Sequence, residues 1–203
     1  MTTAFQTVID NAETISFNRK KKVAQSTSRD GVVKTTSLGG QIWEFEVALP
    51  NGPKWTEYRP LIERMEALDR TTVGTIQINK AAHSWITGYQ GNISNLSTVN
   101  VNFTSGNTVT LSSGGAGSGF HFKSGDLIQL GASGKVYSVV NDVPVGSTVI
   151  TLNRPVREAA GTYNLRIGQN VTWSIICVQF PKWTIFSYDQ IQWEGPFVFA
   201  EAI

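Results

Sequence analysis

Cysteine is almost absent from this chain of 203 residues: Cys177 stands alone. One cysteine excludes an intrachain disulfide and a cysteine-built metal site, and its setting in WSIICV predicts burial as a small apolar residue. Histidine is nearly as scarce, with only His83 and His121. Neither has a Cys, Asp, Glu or second His at ligand spacing, so no metal centre is predicted. His121, between Phe120 and Phe122, reads as a strand residue. No serine sits in a nucleophile-elbow pattern, and no isolated carboxylate pair stands in an apolar setting that would split its two pKa values. These absences point away from an enzyme and predict no cofactor.

Charged residues are sparse at 16%, and the net charge is only +2. That balance is too small to imply a polyanionic partner by itself. No apolar run approaches the roughly eighteen residues that span a bilayer, so no membrane insertion is predicted. The N-terminus MTTAFQTVIDNAET shows no basic region leading into an apolar core, and export by a standard signal is not expected.

What is present is β-forming and turn-forming. Apolar residues make up 40% and glycine occurs 19 times, among abundant Ser, Thr, Asn and Gln. In Gln41–Leu49, Trp43, Phe45, Val47 and Leu49 alternate with Glu44 and Glu46, which predicts a half-buried strand. Pro50 to Pro53 stops it. From Thr56 to Arg70, Tyr58, Leu61, Ile62, Met65 and Leu68 form one helical stripe, opposite surface charges. Thr56 is the expected cap. Strands are then expected at Gly74–Asn79 and Ser84–Tyr89.

Between Tyr89 and Ile167 the pattern changes to short strands bounded by Gly, Ser, Asn or Pro. These predict a small barrel or sandwich, with Ser112 to Gly119 as a flexible connection. The segment GDLIQLGASGKVYSVV (125–140) poses a choice. A phosphate-binding loop requires Gly131 to Lys135 to open into a helix, but Val136 and Tyr137 continue as a strand, so a hairpin is predicted. After the barrel, the runs around Trp173 and from Trp183 to Phe199 need partners. The economical solution returns them to the sheet begun by Trp43 and Phe45. The fold class is therefore mainly β: a discontinuous β-rich domain with one α-helix, over 1–88 and 169–203, and an inserted OB-like β-barrel over 89–168.

The one dense basic run is Arg19-Lys20-Lys21-Lys22, within a stretch, Phe17 to Ser37, expected to be a loop. It reads either as a solvated segment or as an arm that grips an acidic neighbour. The aromatic tail, including Trp183, Phe186, Tyr188, Trp193, Phe197 and Phe199, is rich enough for a core and an interface. Arg19, Lys20, Lys21, Lys22, Trp183, Phe186, Trp193 and Phe197 are the candidate interface residues. An alternative is a binding module, in which Phe120, Phe122 and Tyr137 with Lys135, Arg154, Arg157 and Arg166 face nucleic acid or glycan.

The order of GGQIWEFEVALP, TEYRPLIERMEALDR, GDLIQLGASGKVYSVV and GSTVITLNRPV, followed by a return to the first sheet, resembles the distal tail proteins of long-tailed bacteriophages. The likeness runs from about Gly40 to the end. It implies a structural virion protein at the tail tip, made in the host cytoplasm. Such a protein forms a homo-hexameric ring that joins the tail tube to the baseplate hub and receptor-binding proteins. The inserted barrel then projects outward, with a host glycan as a possible ligand.

Overall fold

The structure, a computed structural model, describes residues 3–68, 71–94, 96–112, 118–132 and 134–202, and within these not the side chains of residues 22, 23, 37–39 and 97. It is mainly β. Its contacts divide the chain into two compact units, Met1–Thr75 with Ser174–Ile203, and Ile76–Trp173. The divisions fall at 75/76 and 173/174, where the sequence pattern suggested 88/89 and 168/169.

The discontinuous unit opens with helix α1 (Ala4–Asp10), a second α-helix where only one was expected. Thr3 caps it by accepting the Gln6 N–H, and Phe5, Val8 and Ile9 are buried. Strands β1 (Thr14–Thr27) and β2 (Val33–Ala48) form a long antiparallel hairpin. Helix α2 follows at Trp55–Glu66. It buries Leu61, Ile62 and Met65 as its stripe requires, while Asp69 and Arg70, the end of the predicted helix, lie outside the described residues. Strand β3 is short, Gly74–Ile76. The later strands of this unit are, in chain order, the twelfth to fifteenth of the protein.

The inserted unit supplies those between: β4 (Asn100–Phe103), β5 (Thr108–Leu111), β6 (Phe120–Phe122), β7 (Leu127–Leu130), β8 (Val136–Ser138), β9 (Val143–Pro144), β10 (Val149–Thr151) and β11 (Gly161–Ile167). Then come β12 (Trp173–Gln179), β13 (Lys182–Phe186), β14 (Gln190–Glu194) and β15 (Phe197–Glu201).

In the first unit the sheet order is β1-β2-β15-β12-β3, so the C-terminal strands do return to the Trp43 strand. Phe199 sits opposite Phe45, and Phe197 opposite Val47. Trp43, Phe45, Val47 and Leu49 are all buried, as their alternation predicts. Phe5 meets Phe199 edge-on at 5.4 Å, and a Cβ on Gly74 would run into the Phe5 ring, so this position requires glycine.

In the second unit a six-stranded sheet runs β10-β5-β4-β11-β7-β8. It curls until its edges meet: Val139 bridges Leu152, the Val140 N–H donates to Thr151 and the Asn153 N–H to Ser138. β4 and β5 alternate between buried and exposed positions, whereas β7 and β8 are buried throughout. Residues 125–140 form the expected hairpin, with β7 paired antiparallel to β8; Ser133 lies outside the described residues. Most of the Ser112–Gly119 connection, residues 113–117, also lies outside them.

One expected strand is not formed. Ser84–Thr87 is a 3-10 turn, fastened by the Thr87 hydroxyl, which donates to the Ile78 carbonyl at 2.8 Å. Its apparent alternation of Trp85 with polar neighbours carries no burial, because Trp85 is 74% exposed.

Candidate assembly interface

The stretch expected to be a loop, Phe17 to Ser37, is a two-stranded β-arm. From Asn18 to Gly40 the described residues are exposed on both faces. Such an arm has no core beneath it, which is why period-2 burial does not mark it in the sequence. A turn held by Ser28 closes its end. The Ser28 N–H donates to the Val32 carbonyl at 2.9 Å, the Val32 N–H returns to Ser28 Oγ at 3.2 Å, and Gly31 adopts φ 77°. Val32 and Val33 beside the turn are half exposed. Midway, pairing jumps from Lys21 with Gln41 to Val23 with Ser37, a bulge that divides the arm into a base and an outer half.

The base ties the basic run to the sheet. Lys20 Nζ bonds the Glu44 carboxylate at 2.9 Å. The Arg19 guanidinium lies 5.6 Å from the Trp43 ring centroid, and Phe17 packs on Trp43 and Phe45. Lys21 projects beyond these contacts, and the Lys22 side chain lies outside the described residues.

Beside the root of this hairpin is a cavity of about 390 Å³ lined by Glu13, Ser16, Glu46, Asn51, Trp193 and Pro196, among others. Glu13 and Glu46 are exposed and make no salt bridge among the described residues.

The aromatic candidates separate. Trp193 and Phe197 are buried, 5.6 Å apart, and Phe197 also packs on Phe180 and Phe199; both belong to the core of their unit, and Trp193 also lines the cavity at the hairpin root. Trp183 is half-buried and stacks on Trp55 at 4.9 Å. Phe186 is exposed, beside exposed Ile185 and Tyr188, and no pattern in the chain distinguishes these two from core aromatics and aliphatics.

β13 and β14 pair antiparallel, and the turn between them corrects the expected helix cap. Lys54, not Thr56, precedes the first turn of α2 and makes no side-chain cap. Instead the Asp189 carbonyl accepts the Trp55 N–H at 2.8 Å, and its carboxylate accepts the Thr56 hydroxyl at 2.8 Å. Tyr188 and Asp189 hold positive φ values of 68° and 63° in making this contact. Tyr58, in the same helix, has its hydroxyl pKa raised by burial, with a smaller push from Glu57.

Cys177 is half-buried, not buried, because it borders a small cavity with Met65, Leu68 and Phe180.

The inserted unit uses its polar groups internally. Asp126, 1% exposed, accepts the N–H groups of Gln90 at 2.9 Å and Lys123 at 2.8 Å. Burial raises its pKa, and those two hydrogen bonds pull the other way. The Gln129 amide donates to the Gly134 and Thr172 carbonyls and accepts the Thr172 N–H. Tyr137 donates to Glu158 at 2.6 Å and accepts the Arg157 N–H. Burial first, and that bond to Glu158 second, push its pKa upward. Phe122 and Tyr137 are wholly buried, Phe120 is covered by Lys123, and Arg154 is 5% exposed beside Tyr137. Of the three aromatics expected to face a nucleic acid or glycan, Phe122 and Tyr137 are thus core and Phe120 is half-buried. His121 is buried on β6, and no group of three metal-ligating side chains occurs among the described residues.

No family model and no curated protein matches the chain.

Proposed function

We propose that the chain is a structural subunit of a phage tail tip, a ring-forming protein that joins the tail tube to the baseplate and its receptor-binding apparatus. The observation that carries this reading is the β-arm: an isolated two-stranded hairpin is marginal in water, so one exposed on both faces is built to be covered by a neighbour. The resemblance in element order, a sheet unit interrupted by a barrel, supports the same reading. Hexameric closure, residence in the virion and the tail-tube and baseplate partners come from that resemblance. The role assigns no catalysis and no cofactor.

The test is mass by light scattering across a concentration series, with negative-stain images of any large species and of isolated tail tubes mixed with the protein. Closed six-fold rings, free or seated on tube ends, are expected. A monomer that no tail tube recruits would overturn the proposal.

A further inference from the structure

Charge on this chain is segregated in a way that its small total conceals. Residues 16–40 carry Arg19, Lys20, Lys21, Lys22, Arg29 and Lys34 against the single carboxylate of Asp30, while the whole chain is only +2. Everything outside the arm is therefore net negative. Lys20 is neutralised at the base by Glu44. Lys21, Arg29 and Lys34 are exposed and make no salt bridge among the described residues. The unmatched carboxylates Glu13 and Glu46 line the cavity at the hairpin root.

We propose that the arm of one copy docks along the acidic cavity of a second copy, with Glu13 and Glu46 as counter-charges for Lys21, Arg29 and Lys34. The arm cannot satisfy its own root. Glu46 stands opposite Ser16 in the ladder, and the paired strands run away from that point toward the turn at Ser28. At about 3.3 Å per residue, Arg29 lies roughly 40 Å from Ser16. The occupant is thus intermolecular. Arm and cavity are different surfaces, so the contact is head-to-tail and either closes into a ring or continues. The arm offers no aromatic beyond Phe17, already packed on Trp43, so single-stranded nucleic acid would find charge but no stacking surface. A second copy supplies what the arm lacks: opposite charge in a formed cavity. This deepens the ring reading above and rests on it only for closure.

The test uses two full-length variants. K21E/R29E/K34E reverses the arm's exposed charges that make no salt bridge and spares Arg19 and Lys20, which hold the base; E13K/E46K reverses the cavity. Each alone opposes like charges and should need roughly a hundredfold more protein to assemble. An equimolar mixture pairs every reversed arm with a reversed cavity and every native arm with a native cavity, so it should regain the wild-type mass and ring images. Wild-type assembly should also weaken between about 0.1 and 1 M salt, as the screening length shrinks from about 10 to about 3 Å. Unchanged circular dichroism and Tm in both variants confirm folding, since neither set of side chains is buried.

Variants that assemble like the wild type would overturn the docking and leave the ring standing. Failure of the mixture to recover would also overturn it. A wild type that stays monomeric in solution would overturn it too, with the tail-tube mixture deciding the ring separately. If the wild type instead binds a thirty-nucleotide single strand through the arm, with its mass otherwise unchanged, the arm's partner is nucleic acid and the proposal fails.

Discussion

Removing the Asp126 carboxylate by Asp126→Ala should loosen the inserted barrel by an amount and with a pH dependence that the structure fixes in sign. The side chain accepts two backbone donors, from Gln90 and Lys123, in a site that is 1% exposed. Both N–H groups are part-buried, so each left without its partner costs about 1–2 kcal/mol, toward the lower end for an orphaned donor. Relief from the desolvated charge offsets part of this, giving a net loss of about 2 kcal/mol near neutral pH. For a unit of this size, 1 kcal/mol corresponds to roughly 4–8 °C in Tm. Because burial outweighs the hydrogen bonds, the folded pKa of Asp126 lies above its unfolded value. Between the two, the folded state holds more protons than the unfolded one, so the contribution of Asp126 is greatest below the unfolded pKa, about 4, and shrinks as pH rises through the folded value. The deficit of the variant should therefore be larger in mild acid than at neutrality. Amide hydrogen exchange resolves the two units where bulk fluorescence would mix them. Peptides covering Gln90 and Lys123 should lose protection first, while those from Trp43 to Leu49 keep theirs. Unchanged exchange at both amides, or a deficit that grows with pH, would refute the reasoning.

Asp142 should behave in the opposite sense. The Ser124 N–H first, then Lys123, lowers its pKa, so its stabilisation is present above the ordinary carboxylate pKa and lost as pH falls through the folded value. The Tm difference between wild type and Asp142→Asn should thus exist at neutrality and vanish in acid; a gap that persists in strong acid would show that the carboxylate charge is not its source. Tyr188→Gly should raise Tm by a few degrees, because Tyr188 is 94% exposed, loses little packing, and sits at φ 68°, where a side chain costs about 1–2 kcal/mol. A lower Tm in scanning calorimetry would mean that the ring supports the turn.

Legibility followed burial. The Trp43–Leu49 strand, the α2 stripe and the 125–140 hairpin were readable because one face of each must meet a core, and period then records geometry. Helix α1 left the same kind of signal in miniature, with Phe5, Val8 and Ile9 at helical spacing after the Thr3 cap, but seven residues are too few for the pattern to stand out. The arm left none: where both faces meet solvent, nothing selects alternation, and SFNRKKKVAQSTS reads as a loop. The aromatic tail posed the reverse difficulty. Trp193 and Phe186 are both plausible as core or interface from composition, and only the ladder decides, placing Ile191 and Trp193 inward and Phe186 toward solvent.

The position of the arm's charges follows from a conflict that any exposed hairpin faces. β1 is the outer strand of its sheet, and an unguarded edge pairs indiscriminately with other strands. Lysines along such an edge suppress that pairing through repulsion between copies, and the bulge at Lys21 to Val23 interrupts the flat run on which a foreign strand could grow. The same charges become attractive only where a neighbour presents carboxylates in place of another edge. Glu13 and Glu46 lie at the hairpin root, away from the outer half of the arm, so an arm meeting an arm is repelled and an arm meeting a root is held. One set of lysines can then exclude the parallel stacking of subunits side by side and admit the head-to-tail contact that a closed ring requires.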